Sequence, residues 1–115
     1  MDNGPTIMPS ASMIEKSVLS AMLQKPEDLV DEFNELNMSR EDFYNPANKA
    51  FFDFIIKTLS DGQDFDLTAM IMRAVEVGIA DRMGGPSAIA EIYSYGPTTV
   101  NFVRHCKILR DKSIR

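Results

Sequence analysis

Histidine and cysteine are almost missing from this sequence, which has one of each, His105 and Cys106, among 115 residues. A single cysteine cannot form an internal disulfide, and its isolation fits a reducing cytoplasm. One histidine cannot build a zinc site, because such sites need several nitrogen or sulfur ligands. Adjacent residues on a helix point about 100° apart, so His105 and Cys106 cannot meet as base and nucleophile. Cys106 therefore reads as a buried structural thiol and His105 as a solvent-facing or hydrogen-bonded side chain. Long apolar runs are missing too. Nowhere do about 18 apolar residues follow one another, so no membrane-spanning helix is expected. The opening MDNGPTIMPSAS has neither the basic nor the apolar region of a signal peptide.

Phosphate loops are also lacking. Gly84-Gly85-Pro86-Ser87 has no Lys-Ser/Thr after it, and no GxGxxG occurs. Asp61, Asp64 and Asp66 fail the calcium-loop spacing, because Gly62 comes too early and Phe65 interrupts the acids. They read as turn and capping residues. A helix that reads DNA bases needs Arg, Lys, Asn or Gln aimed outward, and the helix beginning at Leu67 offers only Arg73. The net charge of −5 runs against a dedicated DNA-binding module. Its distribution is uneven, since residues 102–115 carry Arg104, Lys107, Arg110, Lys112 and Arg115 against Asp111, a balance of +4. The rest of the chain therefore sums to −9. That basic end suits the C-terminal dipole of a last helix.

What the sequence does contain is helical periodicity with legible caps. Asn45 suits an N-cap, Pro46 suits N1, and Gly62 suits C′. Between them Ala47, Ala50, Phe51, Phe52, Phe54, Ile55, Ile56 and Leu59 surround the helix, leaving Lys49, Asp53 and Lys57 for water. A helix apolar over so wide an arc is expected at the centre of a bundle. Upstream, residues 1–11 read as a flexible arm, and Ser12 with Glu15 matches a capping box ahead of Ile14, Val18, Ala21 and Met22. Pro26 ends that helix and opens one with Leu29, Val30, Phe33 and Leu36 on its apolar stripe and five acids opposite. Ser39 and Asp42 form another cap, with Phe43 and Tyr44 expected to anchor the connection in the core. Asp66 caps a helix with Leu67, Met70, Ile71, Ala74 and Val75 inward and Gly78 at C′. Gly84 and Gly85 precede a short helix with Ile89, Ile92 and Tyr93. Thr98 or Thr99 caps a last helix reaching about Ile114. Among the eight methionines, Met22, Met70 and Met72 read as core filling. No segment alternates like a strand, so the fold is predicted to be all-α, an orthogonal bundle of about six helices.

Several of these runs, in order, carry a family resemblance: EKSVLSAML (Glu15–Leu23), DFYNPANKAFFDFI (Asp42–Ile55), DLTAM (Asp66–Met70), Gly84-Gly85, PTTVN (Pro97–Asn101) and KILRDKS (Lys107–Ser113). The series resembles the N-terminal domain of the bacterial replicative DNA helicases, the DnaB family, over residues 9–115. Three positions depart from the family pattern: Asn48 where histidine is frequent, Ser20 where glycine is usual, and His105 where an aromatic is common. The resemblance implies a helical domain without catalytic residues, metal ligands or cofactor of its own, ATP and magnesium belonging to a motor domain beyond the chain.

The same resemblance implies self-association into dimers, hexamers in the whole protein, and docking of primase and of a helicase loader. Single-stranded DNA would be met only through the missing motor. It implies a head over 12–96 and a protruding helix over 97–115 that begins a hairpin. Phe102, Val103, Ile108, Leu109 and Ile114 are the expected interface residues, with Phe102, Cys106 and Leu109 able to face the head and the others outward. Two alternatives stand beside this reading. One is a DNA-binding module using the basic last helix, and the other is a stand-alone phage or plasmid replication accessory protein.

Overall fold

The computed structural model describes residues 11–96 and 101–113. The order is α1 (Ala11–Gln24), α2 (Pro26–Glu35), a 3₁₀ turn (Arg40–Asp42), α3 (Pro46–Ser60), α4 (Leu67–Glu76), α5 (Pro86–Tyr93) and α6 (Phe102–Ser113). No strand occurs among the described residues, and the all-α prediction holds.

The chain punctuates itself where the residues say it should. The Asn45 side chain accepts from the backbone N–H groups of Ala47 and Asn48, and Pro46 opens α3. At the other end Gly62 has φ 65°, where a side chain would be strained. Its N–H reaches Leu59 O at 3.1 Å and that of Gln63 reaches Thr58 O at 3.0 Å, a Schellman closure. The Asp66 side chain caps α4 through Ala69 N–H. Ser39 and Asp42 complete their capping box around the 3₁₀ turn. Each cap contributes about 1 kcal/mol.

Three sequence expectations give way. The centre of the bundle is α1 rather than α3: α1 touches α2, α3, α5 and α6, while α3 has no comparable contact with α5 or α6. Six consecutive residues, Val18 to Leu23, are all buried, which only a helix covered on every side allows. On α3, by contrast, Ala47, Ala50, Ile56 and Leu59 remain half-exposed. Glu15 does not cap α1, because Ser12 lies inside the helix and Glu15 is buried toward the start of α3. Only half of the Phe43–Tyr44 anchor enters the core, with Phe43 fully buried and Tyr44 87% exposed. Residues 1–10 of the expected arm, the expected caps Thr98 and Thr99, and Ile114 lie outside the described residues.

One apolar core runs from Ile14 to Leu109 and includes residues of all six helices. Phe33, Phe43 and Phe52 meet in it, with ring centroids 4.8, 5.3 and 6.2 Å apart. Each such buried aromatic contributes about 2–3 kcal/mol by area. The last helix is part of this core, sealed by Phe102, Cys106 and Leu109.

Candidate interaction surfaces

Of the five residues expected at an interface, the structure places two inside. Phe102 and Leu109 are buried with Cys106 on the seam of α6, which packs on α1. Stepping about 100° per residue puts Val103 and Ile108 on opposite flanks of that seam, both half-exposed. They form no single patch. The fifth, Ile114, lies outside the described residues. The outward side of α6 is basic, with Arg104 and Lys107 exposed beside Asp111, and Lys112 exposed in the last turn. Arg110 is turned inward, donating to Leu36 O at 2.7 Å and tying α6 to the end of α2.

The two reactive-looking side chains of α6 are structural. Burial pushes the Cys106 thiol up to about 12, Glu32 and Asp42 push the same way, and Arg110 opposes them. A neutral thiol buried in the core is a poor nucleophile. The His105 imidazole is held below its ordinary value, first by burial and then by Arg104. No group of three or more His, Cys, Asp or Glu side chains among the described residues could hold a metal ion. Asp61 pairs with Lys57 at 3.1 Å and Asp66 caps α4, which accounts for two of the three aspartates near that turn.

Inside, a buried carboxylate organises the junction that presents Tyr44. Glu15 is 1% exposed and accepts from Asn48 Nδ2 at 2.8 Å, from Asn45 N–H at 3.3 Å and from Tyr44 N–H. A negative charge here also faces the N-terminus of α3, where the helix dipole favours it. Exposed ion pairs border this junction. Arg40 grips Asp53 through two nitrogens at 2.9–3.1 Å, and Lys49 reaches Glu41 at 3.3 Å.

Other exposed apolar side chains lie on α4 and at its C-cap, Val77. Met72 is 61% exposed, Val75 57% and Val77 51%. Met72 and Val75 are three apart and so share one flank, with Glu76 following Met72 by four. Only Met70 and Ala74 of this helix are buried, so Met72 and Val75, expected inside, are outside. The signal was present in the sequence. An apolar arc spanning Leu67, Met70, Ile71, Met72, Ala74 and Val75 is wider than one packed face can absorb. Arg73, on the same helix, is folded inward over the Phe54 ring at 5.0 Å and donates to Thr58 Oγ1.

Comparison with known proteins agrees with this architecture. The family described as DnaB-like helicase N terminal domain matches residues 7–111. The chain is 27% identical to the replicative DNA helicase DnaB of Geobacillus stearothermophilus and to that of Pasteurella multocida, covering 94% of this chain and 23% of each relative. It is also 27% identical to the Mycobacterium leprae protein of that name, over 87% of this chain and 16% of the relative. The chain thus spans less than a quarter of the length of these relatives. Among solved structures it resembles the N-terminal domain of DnaB helicase from Mycobacterium tuberculosis. The TM-score there is 0.76 and the identity 26%, covering 94% of this chain and 74% of that one. With the family matched across nearly its whole length, this chain belongs to the DnaB-like helicase N-terminal domains.

Proposed function

We propose that this chain is a non-catalytic assembly and docking domain of a hexameric replicative DNA helicase. It pairs with copies of itself and presents a surface to primase, so that unwinding and priming occur at one place. The observation that carries this reading is the family match across residues 7–111, joined to a six-helix bundle that resembles the N-terminal domain of DnaB helicase from Mycobacterium tuberculosis. The role is geometric. A rigid bundle fixed by caps, a buried carboxylate and an aromatic core can hold a partner in register without doing chemistry. The domain needs no cofactor, ATP and magnesium being handled by a motor domain, which is also where single-stranded DNA is held. It works in the cytoplasm, where a helicase loader is a further partner. No helix among the described residues is long and apolar enough to cross a membrane.

Calorimetric titration of this chain with the C-terminal domain of its cognate primase tests the docking role. Saturable binding supports it, and the absence of any heat or complex at high micromolar concentrations sinks it. The competing DNA-binding reading rests on Arg104, Lys107 and Lys112. It requires affinity for single strands that falls steeply with salt, and the net charge of −5 weighs against it.

A further inference from the structure

We propose that Met72, on the outer face of α4, is a reversible oxidation site, its thioether taking one oxygen atom from a peroxide while the core methionines are spared. The modification goes beyond the docking role proposed above and does not depend on it.

Oxidation of methionine requires the oxidant to reach the sulfur. The chain has eight methionines, and the structure describes six of them. Met22, Met38, Met70 and Met83 are buried in the core. Met13 is 48% exposed and Met72 61%, the most open of the six. The contrast is sharpest within α4. Met70 and Met72 are two residues apart, which turns them about 200° around the helix axis. One is fully buried and the other faces solvent. The long side chain next to Met72 leaves it uncovered, because Arg73 is folded over the Phe54 ring at 5.0 Å and donates to Thr58 Oγ1. Val75 and Glu76, three and four residues on, share the flank of Met72 and are both exposed.

The chemistry is a two-electron oxygen transfer. A lone pair on Sδ attacks one oxygen of hydrogen peroxide, and the S–O bond forms as the O–O bond breaks. The departing hydroxide takes up the proton of the transferred oxygen and leaves as water. The thioether is oxidised and the peroxide reduced. The product is a chiral sulfoxide, more polar than the side chain it replaces. At Met72 the new oxygen is hydrated, so the stripe shared with Val75 becomes polar and the core is untouched. At Met70 the same oxygen would be buried away from water, where an unpaired acceptor is destabilising. Thiol-dependent reductases, one for each sulfoxide epimer, return the oxygen to water as two thiols pass to a disulfide. The mark is therefore reversible.

Peptide mapping after exposure of the folded chain to low millimolar hydrogen peroxide tests the assignment. Trypsin leaves Met70 and Met72 on one peptide, Thr58–Arg73, so fragment-ion mass spectrometry reads the two side by side. Met72 is oxidised at least about tenfold faster than Met22, Met38, Met70 and Met83, which the reagent reaches only when the bundle opens. Unfolding in guanidinium abolishes the difference. Met72→Leu, an exposed and volume-conserving change, is the reference for stability. Oxidation lowers the unfolding temperature of the wild type by no more than about 3 °C beyond its effect on Met72→Leu, as expected of a surface change. A smaller ratio between Met72 and the core methionines in the folded chain overturns the proposal. So does a larger thermal loss that Met72→Leu escapes.

Discussion

Replacing Glu15 with alanine should be among the most damaging single changes in this protein, although the residue is polar and lies inside the bundle. Its carboxylate is 1% exposed and accepts hydrogen bonds from Asn48 Nδ2, Asn45 N–H and Tyr44 N–H. Bonds to a charged group contribute about 1.5–3 kcal/mol each, and an orphaned buried donor costs about 1–3 kcal/mol. The three are not additive, since the junction can relax and admit water. A loss of about 3–4 kcal/mol is therefore expected for Glu15→Ala. For a domain of this size that lowers the unfolding temperature by roughly 10–15 °C. Glu15→Gln keeps the shape but turns an acceptor into a donor facing other donors, so it should cost about half as much. Thermal unfolding followed by far-ultraviolet circular dichroism reads both. Asn48→Ala and the double variant complete a cycle whose coupling energy should be about 1–2 kcal/mol. A shift below about 2 °C for Glu15→Ala, or a coupling near zero, would refute the idea that this carboxylate holds α3 to α1.

Other changes have equally definite signs. Ser20 is fully buried and its hydroxyl has no hydrogen-bond partner, so Ser20→Ala should raise stability by about 1 kcal/mol, and a lower unfolding temperature would contradict this. Gly84 has φ +102°, and a Cβ there would stand 2.7 Å from the Cβ of Ala88, so Gly84→Ala should cost about 1–3 kcal/mol in a denaturant titration. Cys106 should resist iodoacetamide at pH 8 in the native chain and react only on unfolding, because its thiol is buried and held neutral. Its folded pKa is raised, so the native state keeps a proton that the unfolded state releases. That contribution is complete below about 9 and is lost as pH rises toward about 12. Cys106→Ala should flatten the fall in stability over that window.

The fold was legible because its signals are local. Asn45-Pro46, Asp66, Gly62 and Gly78 each mark a helix boundary through a cap that involves only neighbouring residues. What periodicity could not rank was which helix the others surround. A strongly apolar α3 looks more central than α1, yet burial depends on neighbours, and the uncharged run Val18–Leu23 is the one enclosed on all sides. Glu15 shows the same limit. A Ser-x-x-Glu spacing satisfies the local rule for a cap, but the carboxylate is taken by donors about thirty residues away. Two of the positions where the chain departs from its family's pattern, Ser20 and Asn48, proved to be buried polar sites. One has no partner and the other is bonded to Glu15.

The surface was less legible than the core. Phe102 and Leu109 have the apolar character of interface residues, and the seam of α6 uses both internally. A charged residue at Leu109 would therefore unfold the head rather than report on association, whereas Ile108, half-exposed on the flank, remains a usable probe. Met72 and Val75 look like core residues in sequence, and only the narrow contact of α4 with the bundle reveals them as exposed.

The most direct test of the account is the solution mass of this chain, alone and mixed with the C-terminal domain of its cognate primase, by light scattering after size exclusion. The account predicts a dimer or larger species alone and a new, heavier peak in the mixture. A monomer whose elution and mass ignore primase would contradict it.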